Sequence, residues 1–217
     1  MKKALIYILL ASMALCVLTG CNGGPSAIIK PEEVSMGEII NGYYINEDFG
    51  FSMKVPDGYY IATEEELATK FNITDLIEEE EDEDDATEDF TTYLAFFSEA
   101  TLENMDGNSH IMIAVEDANK YGYSDKDTYL EYMVYDKTTI YESVKDAVVD
   151  SGTLSQVWIG SRRFANRMIT LTMPDFGVKF DMYAVVKNGY FLTIMIGAYS
   201  DEDLAYLQGF LDTITIE

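Results

Sequence analysis

Two consecutive residues, Asn188-Gly189, constrain this chain more than any others. They separate Val178–Lys187 from Tyr190–Tyr199, two runs rich in strand-forming residues. A two-residue Asn-Gly loop accepts positive φ at both positions, and so matches the twist of an antiparallel pair. Two further β-rich runs, Ser155–Ile159 and Met168–Met173, come just before. The last third is therefore predicted to be antiparallel sheet. Ser200 then caps a closing helix with Leu204, Leu207 and Leu211 on one face.

The earlier segments supply the rest of a single domain, predicted over residues 42–217. Tyr43-Tyr44-Ile45 reads as a short strand, Asn46-Glu47-Asp48 as a turn, and Phe49–Val55 as a strand with Phe49, Phe51, Met53 and Val55 on one face. Pro56-Asp57-Gly58 turns the chain, and Tyr59–Ala62 is extended. Thr63 and Glu66 form a capping box for a helix carrying Leu67 and Phe71. Thr92–Ser98 and His110–Glu116 read as strands joined through Asp106-Gly107-Asn108. Ser124 caps a long helix whose apolar stripe is Leu130, Met133, Val134, Tyr141, Val144 and Val148, with Gly152 as its end. Strands joined by hairpins, with helices able to cover both faces, define an α/β (α+β) class: a mostly antiparallel sheet sandwiched by helices. No internal repeat is present.

Residues 1–20 have a different character. Lys2 and Lys3 precede an uncharged, largely apolar run, Ala4–Leu18, which at about 15 residues is shorter than the roughly 20 that span hydrocarbon and suits a signal peptide. The next residues, Leu18-Thr19-Gly20-Cys21, resemble the lipobox of bacterial lipoproteins. That resemblance implies cleavage after Gly20 and a diacylglyceryl group on Cys21, usually with acylation of the new amino terminus. The alternatives are an ordinary signal peptide with an incidental cysteine, or an uncleaved helix. Each buried methylene contributes about 0.8 kcal/mol, so two or more acyl chains hold a protein stably. Residues 21–41, which include Gly23-Gly24-Pro25-Ser26, read as a lipidated tether, and the expected location is the outer side of the cytoplasmic membrane. Flexible-chain scaling gives such a tether a typical reach of about 25 Å.

Without residues 1–20 the chain keeps 12 of its 14 basic residues and all 39 acidic ones, a net charge of −27. Nucleic acid is excluded as a partner, because phosphate neutralisation needs Lys and Arg. Such a domain is also repelled by an anionic bilayer within a Debye length of about 8 Å. Cys16 leaves with the signal, so Cys21 is the one cysteine kept. No disulfide, thiol nucleophile or cysteine-based zinc site is available, and stability must come from an apolar core.

Several segments match a known pattern. They are Tyr44–Tyr59 leading into Thr63–Leu67, the helix start Ser124–Leu130, Ile159-Gly160, and the closing run Tyr183–Ile214. Together they resemble small secreted lipoproteins of Gram-positive bacteria and the PsbP/Mog1-like fold. The resemblance implies an antiparallel sheet between helices. It also implies use as a protein-binding module, since the better-known members act in photosystem assembly or in regulating a small GTPase. No catalytic centre is shared within that group, and none of its functional residues maps onto this chain. The acidic block at 78–89 has no counterpart in it.

Chemistry-bearing motifs are sparse. His110 is the only histidine, it lies beside a turn, and no Gly-x-Ser-x-Gly elbow accompanies it; a solvated or hydrogen-bonded role is expected. No P-loop or Gly-x-Gly-x-x-Gly occurs, so no cofactor is expected. Glu78–Asp89 holds ten acids in twelve positions. Clustered carboxylates attract hard cations such as calcium, but no EF-hand spacing is present, and Asp106-x-Asn108 meets His110 and Ile111 where an acid and Gly belong. A solvated acidic loop is the expectation, with weak cation binding as a corollary. The sixteen tyrosines could furnish a binding face, but the expectation is strand residues with buried rings and wet hydroxyls. Arg162, Arg163 and Arg167, the only arginines, gather near Gly160-Ser161 and are expected to bridge to Asp and Glu, or else to grip an anionic partner.

These features predict a membrane-anchored, non-enzymatic binding or assembly module for a protein or envelope component. The rivals are an envelope hydrolase using carboxylates and His110, and a calcium-responsive domain.

Overall fold

The computed structural model describes residues 34–71, 91–104, 107–119, 125–142 and 146–217. The expectations that concern Cys21, the signal peptide, the acidic block, Asp106, Ser124 and Val144 lie outside these residues. The described strands are β1 (Glu38–Ile40), β2 (Tyr43–Asn46), β3 (Phe51–Lys54), β4 (Tyr60–Ile61), β5 (Thr91–Ser98), β6 (His110–Asp117), β7 (Val148–Ser151), β8 (Ser155–Ile159), β9 (Arg162–Met173), β10 (Phe176–Lys187), β11 (Tyr190–Ala198) and β12 (Thr215–Ile216). The helices are α1 (Glu64–Phe71), α2 (Lys126–Glu142) and α3 (Asp201–Gln208), the last running into a 3-10 turn, Gly209–Thr213.

Every strand pairing is antiparallel, as the Asn-Gly signal predicts. Asn188 and Gly189 take φ values of 52° and 85°, and Lys187 pairs with Tyr190 across that turn. The larger sheet runs β4-β5-β6-β11-β10-β9-β7, with β8 also paired to β9; the smaller runs β1-β2-β3-β12. The domain is therefore an antiparallel α+β sandwich.

The central strands β6 and β11 are buried on both faces, so the two-residue period sorts side chains between two cores rather than between core and water. Met112, Ala114, Phe191 and Met195 join one core, which α2 covers with Tyr129, Leu130, Met133, Val134 and Tyr141. Ile111, Ile113, Val115, Leu192, Ile194 and Ile196 join the other, which α3 covers through Leu204 and Leu207. The smaller sheet shares that second face, adding Tyr44, Phe51, Met53 and Ile216. The helical sandwich of the sequence reading thus gains a short sheet as part of one outer layer. A bulge between Tyr93 and Ala95 shifts the phase of β5, so that Leu94 and Ala95 both face the second core.

Local signals act as expected in several places. The Thr63 amide donates to Glu66 Oε2 at 2.8 Å and the Glu66 amide to Thr63 Oγ1 at 3.3 Å, a reciprocal capping box at the start of α1. The Asp203 amide donates to Ser200 Oγ at 3.0 Å, capping α3. At α2, Asp125 accepts from the amides of Asp127 and Thr128, at 3.1 and 2.9 Å.

Three expectations need correction. The folded chain starts before Gly42: Val34 is buried, β1 pairs with β2, and Asn46 Nδ2 donates to the Ser35 carbonyl at 2.7 Å. Residues 34–41, assigned to the tether in the sequence reading, thus belong to the folded domain. Val148 and Gly152 do not continue the long helix. Asp146 has a φ of 64°, and Val148–Ser151 is an edge strand on β9, where β-branched residues suit an extended chain and Val148 stands exposed. Finally, β9 begins at Arg162 rather than Met168, so the arginines sit on a strand and not in a turn.

Candidate functional site

The corrected start of β9 changes where the arginines point. β8 and β9 form a hairpin through Gly160, whose φ of 56° suits glycine and whose Cα lies so close to the chain end that a Cβ would meet the Ile214 carbonyl at 2.9 Å. Trp158 pairs with Arg163 across this hairpin, so the two side chains project to one face. Both are exposed, and Trp158, the only tryptophan, is 73% accessible. Arg162 is fixed at the tip by a 2.9 Å bond from Nη2 to the main-chain oxygen of Glu217. Arg167 donates from Nε to the Gly152 carbonyl at 2.7 Å. In place of the expected salt bridges to Asp and Glu side chains, these two bond to main-chain oxygens. The ion pairs among the described residues all use lysine: Lys54–Asp57, Lys126–Asp127 and Lys179–Asp201.

His110 is not solvated. Its ring is buried, stacks on Phe96 with centroids 5.1 Å apart, and lies over Gly197. The Asn108 carbonyl is an acceptor 3.3 Å from Nδ1, which fixes the tautomer with the proton on that nitrogen. Burial lowers its pKa to about 4, only partly offset by the bond to Asn108, so the imidazole is neutral at physiological pH. An enclosed, neutral ring cannot exchange protons with an external substrate, which leaves His110 a core residue.

Two polar groups inside the domain escape the sequence reading. Asp181 accepts from Asn166 Nδ2 at 2.7 Å through Oδ1, and from Gln208 Nε2 at 2.6 Å and the Tyr183 hydroxyl through Oδ2. That network ties β9, β10 and α3 together. Burial and the adjacent Asp181 carboxylate raise the Tyr183 pKa, so Tyr183 stays a donor. The tyrosine expectation is thereby adjusted: Tyr44, Tyr129 and Tyr183 bury both ring and hydroxyl, and Tyr44 donates to the Met36 carbonyl at 3.0 Å.

The second group lies beneath α2. Glu116 of β6 and Lys137 of α2, 2% and 1% exposed, line one cleft between helix and sheet together with Thr91, Thr193 and four methionines. Lys137 stands seven residues after Leu130, in the middle of the apolar stripe. That charge inside a hydrophobic period was the available signal. No group of three or more His, Cys, Asp or Glu side chains comes together among the described residues.

The fold and the exposed β8–β9 tip define an antiparallel α+β sandwich with an uncovered aromatic-arginine pair at one end. No protein-family model matches the chain, and no curated protein matches it in sequence. Solved structures similar to it include cyanobacterial PsbP (CyanoP) from Synechocystis, with a TM-score of 0.47 and 12% identity over 81% of this chain and 91% of that one. LpqN, involved in cell envelope biogenesis of Mycobacterium tuberculosis, gives 0.41 and 11%, over 76% and 82%. The Ran-binding protein Mog1p of Saccharomyces cerevisiae gives 0.41 and 10%, over 76% and 89%.

Proposed function

We propose that this chain is a non-enzymatic binding module, displayed from a lipidated Cys21 outside the cytoplasmic membrane, whose contact surface is the β8–β9 tip. The observation that carries the reading is the exposed pair Trp158 and Arg163. Trp and Arg dominate the energetics of protein interfaces, and an indole this exposed has an unmet hydrophobic gain. In a chain of net charge −25, all three arginines fall within 162–167. This tip suits a protein or envelope component presenting an apolar surface beside an acidic group. Display from the membrane follows from the resemblance of Leu18-Thr19-Gly20-Cys21 to a lipobox. A tether holds the acidic domain near the bilayer while repulsion keeps it from lying flat.

Crosslinking in the native cell tests the reading. Wild-type protein is expected to yield a defined adduct that Trp158→Ala and Arg163→Glu each lose, with unchanged melting curves. A hot-spot residue contributes about 2 kcal/mol or more, roughly a thirtyfold change in affinity. Absence of any adduct, or full retention by both variants, overturns the assignment.

A further inference from the structure

The two faces of strands β6, β10 and β11 are built from different residues. Toward the small sheet and α3 they carry Ile111, Ile113, Val185, Ile194 and Ile196, the branched aliphatics that strands favour. Toward α2 the same strands place three methionines in one cross-strand row: Met112 pairs with Met195, and Met195 with Met182. Directly opposed residues hold their Cβ atoms about 4.5–5.5 Å apart, so three unbranched thioether arms start within reach of one point. Met133 descends from α2 and lines the same cleft. All four are at most 6% exposed.

We propose that this row is a site for a soft monovalent metal ion, Cu(I), ligated by the thioether sulfurs of Met112, Met182 and Met195 with Met133 above them. Thioethers are soft, neutral ligands that select Cu(I) over hard divalent ions. Among the residues that line the cleft Glu116 is the one carboxylate, so the cleft lacks the clustered carboxylates that calcium and magnesium favour. Its size also fits, since the room enclosed among these side chains suits one water-sized guest and no organic molecule. The four methionines otherwise fill space in the core, and the test must separate filling from ligation.

The experiment uses the full chain in detergent with Cys16 and Cys21 replaced by serine, leaving thioethers as the only sulfur. Cu(I), kept reduced by ascorbate, is titrated in competition with bathocuproine disulfonate, and Ag(I) serves as a redox-inert probe in thermal melts. One Cu(I) retained per chain and an upward Ag(I) shift in Tm are expected. Met112→Leu/Met182→Leu/Met195→Leu conserves core volume, yet should lose both signals. If the triple variant fails to fold, the central Met195→Leu alone should weaken binding, while Met173→Leu, outside the row, should not. Complete transfer of copper from the wild type to the chelator with no Ag(I) shift, or equal binding by the leucine variants, overturns the proposal.

Discussion

Replacing Gly197 with alanine adds one methyl group directly under the buried His110 ring. Its Cβ would lie 2.3 Å from His110 Cε1, 2.5 Å from Nε2 and 3.0 Å from Nδ1. Carbon contacts settle near 3.5 Å, so the ring must retreat by about 1 Å. It cannot swing freely, because it is buried and stacked on Phe96. Overpacking of this kind costs about 1–3 kcal/mol, and the displaced ring would also lose its bond to Asn108. Against this stands about 0.4–1 kcal/mol from a stiffer unfolded chain. The expected net loss is about 2 kcal/mol, read as a lower urea midpoint at constant slope. The same change in a His110→Ala background meets open space and should be neutral or stabilising. The double-mutant cycle should therefore show a coupling of at least about 2 kcal/mol. Additive single effects would refute the idea that Gly197 exists to seat the imidazole.

Two other perturbations test the interior. Between about pH 6.5, the ordinary value for histidine, and about pH 4, its value in the folded chain, the unfolded state binds a proton that the folded state does not. Stability should thus be full above pH 6.5 and fall toward pH 4, by roughly 3 kcal/mol from this group. Urea midpoints across that window should decline less steeply for His110→Gln, and parallel curves would contradict the linkage. Asp181→Asn turns an acceptor of three donors into a group whose NH2 faces other donors. A loss of about 1–3 kcal/mol in denaturant unfolding is expected, and an unchanged midpoint would remove the network's structural role.

Legibility in the sequence tracked the range of the interaction. Asn188-Gly189, the Thr63–Glu66 box and the Ser200 cap are local devices, and each does in the fold what its residues suggest. Asn41-Gly42 is the same dipeptide with the same positive φ values, 53° and 79°. In the sequence it signals no hairpin, because β1 supplies only three residues before it and the glycine-rich stretch upstream reads as tether. Val148 reads as helical because a spacing of seven from Tyr141 satisfies a helical stripe, while the pairing of Val148 with Thr172 that makes it a strand is non-local. The small sheet was illegible for the same reason: β12 reaches β3 across most of the chain. Trp158 could be assigned to a strand, but its exposure follows from β8 lying at an edge, which only the strand order reveals. The methionine row likewise exists only once β6, β11 and β10 are in register.

The binding reading depends on display from the membrane, and the mass of the native amino terminus tests that most directly. Protein extracted from the membrane fraction of the source cell should begin at Cys21, with a diacylglyceryl group on its sulfur released as a defined lipid-bearing peptide. A native chain that starts at any other residue, or carries Cys21 as a free thiol, would contradict the tethered module.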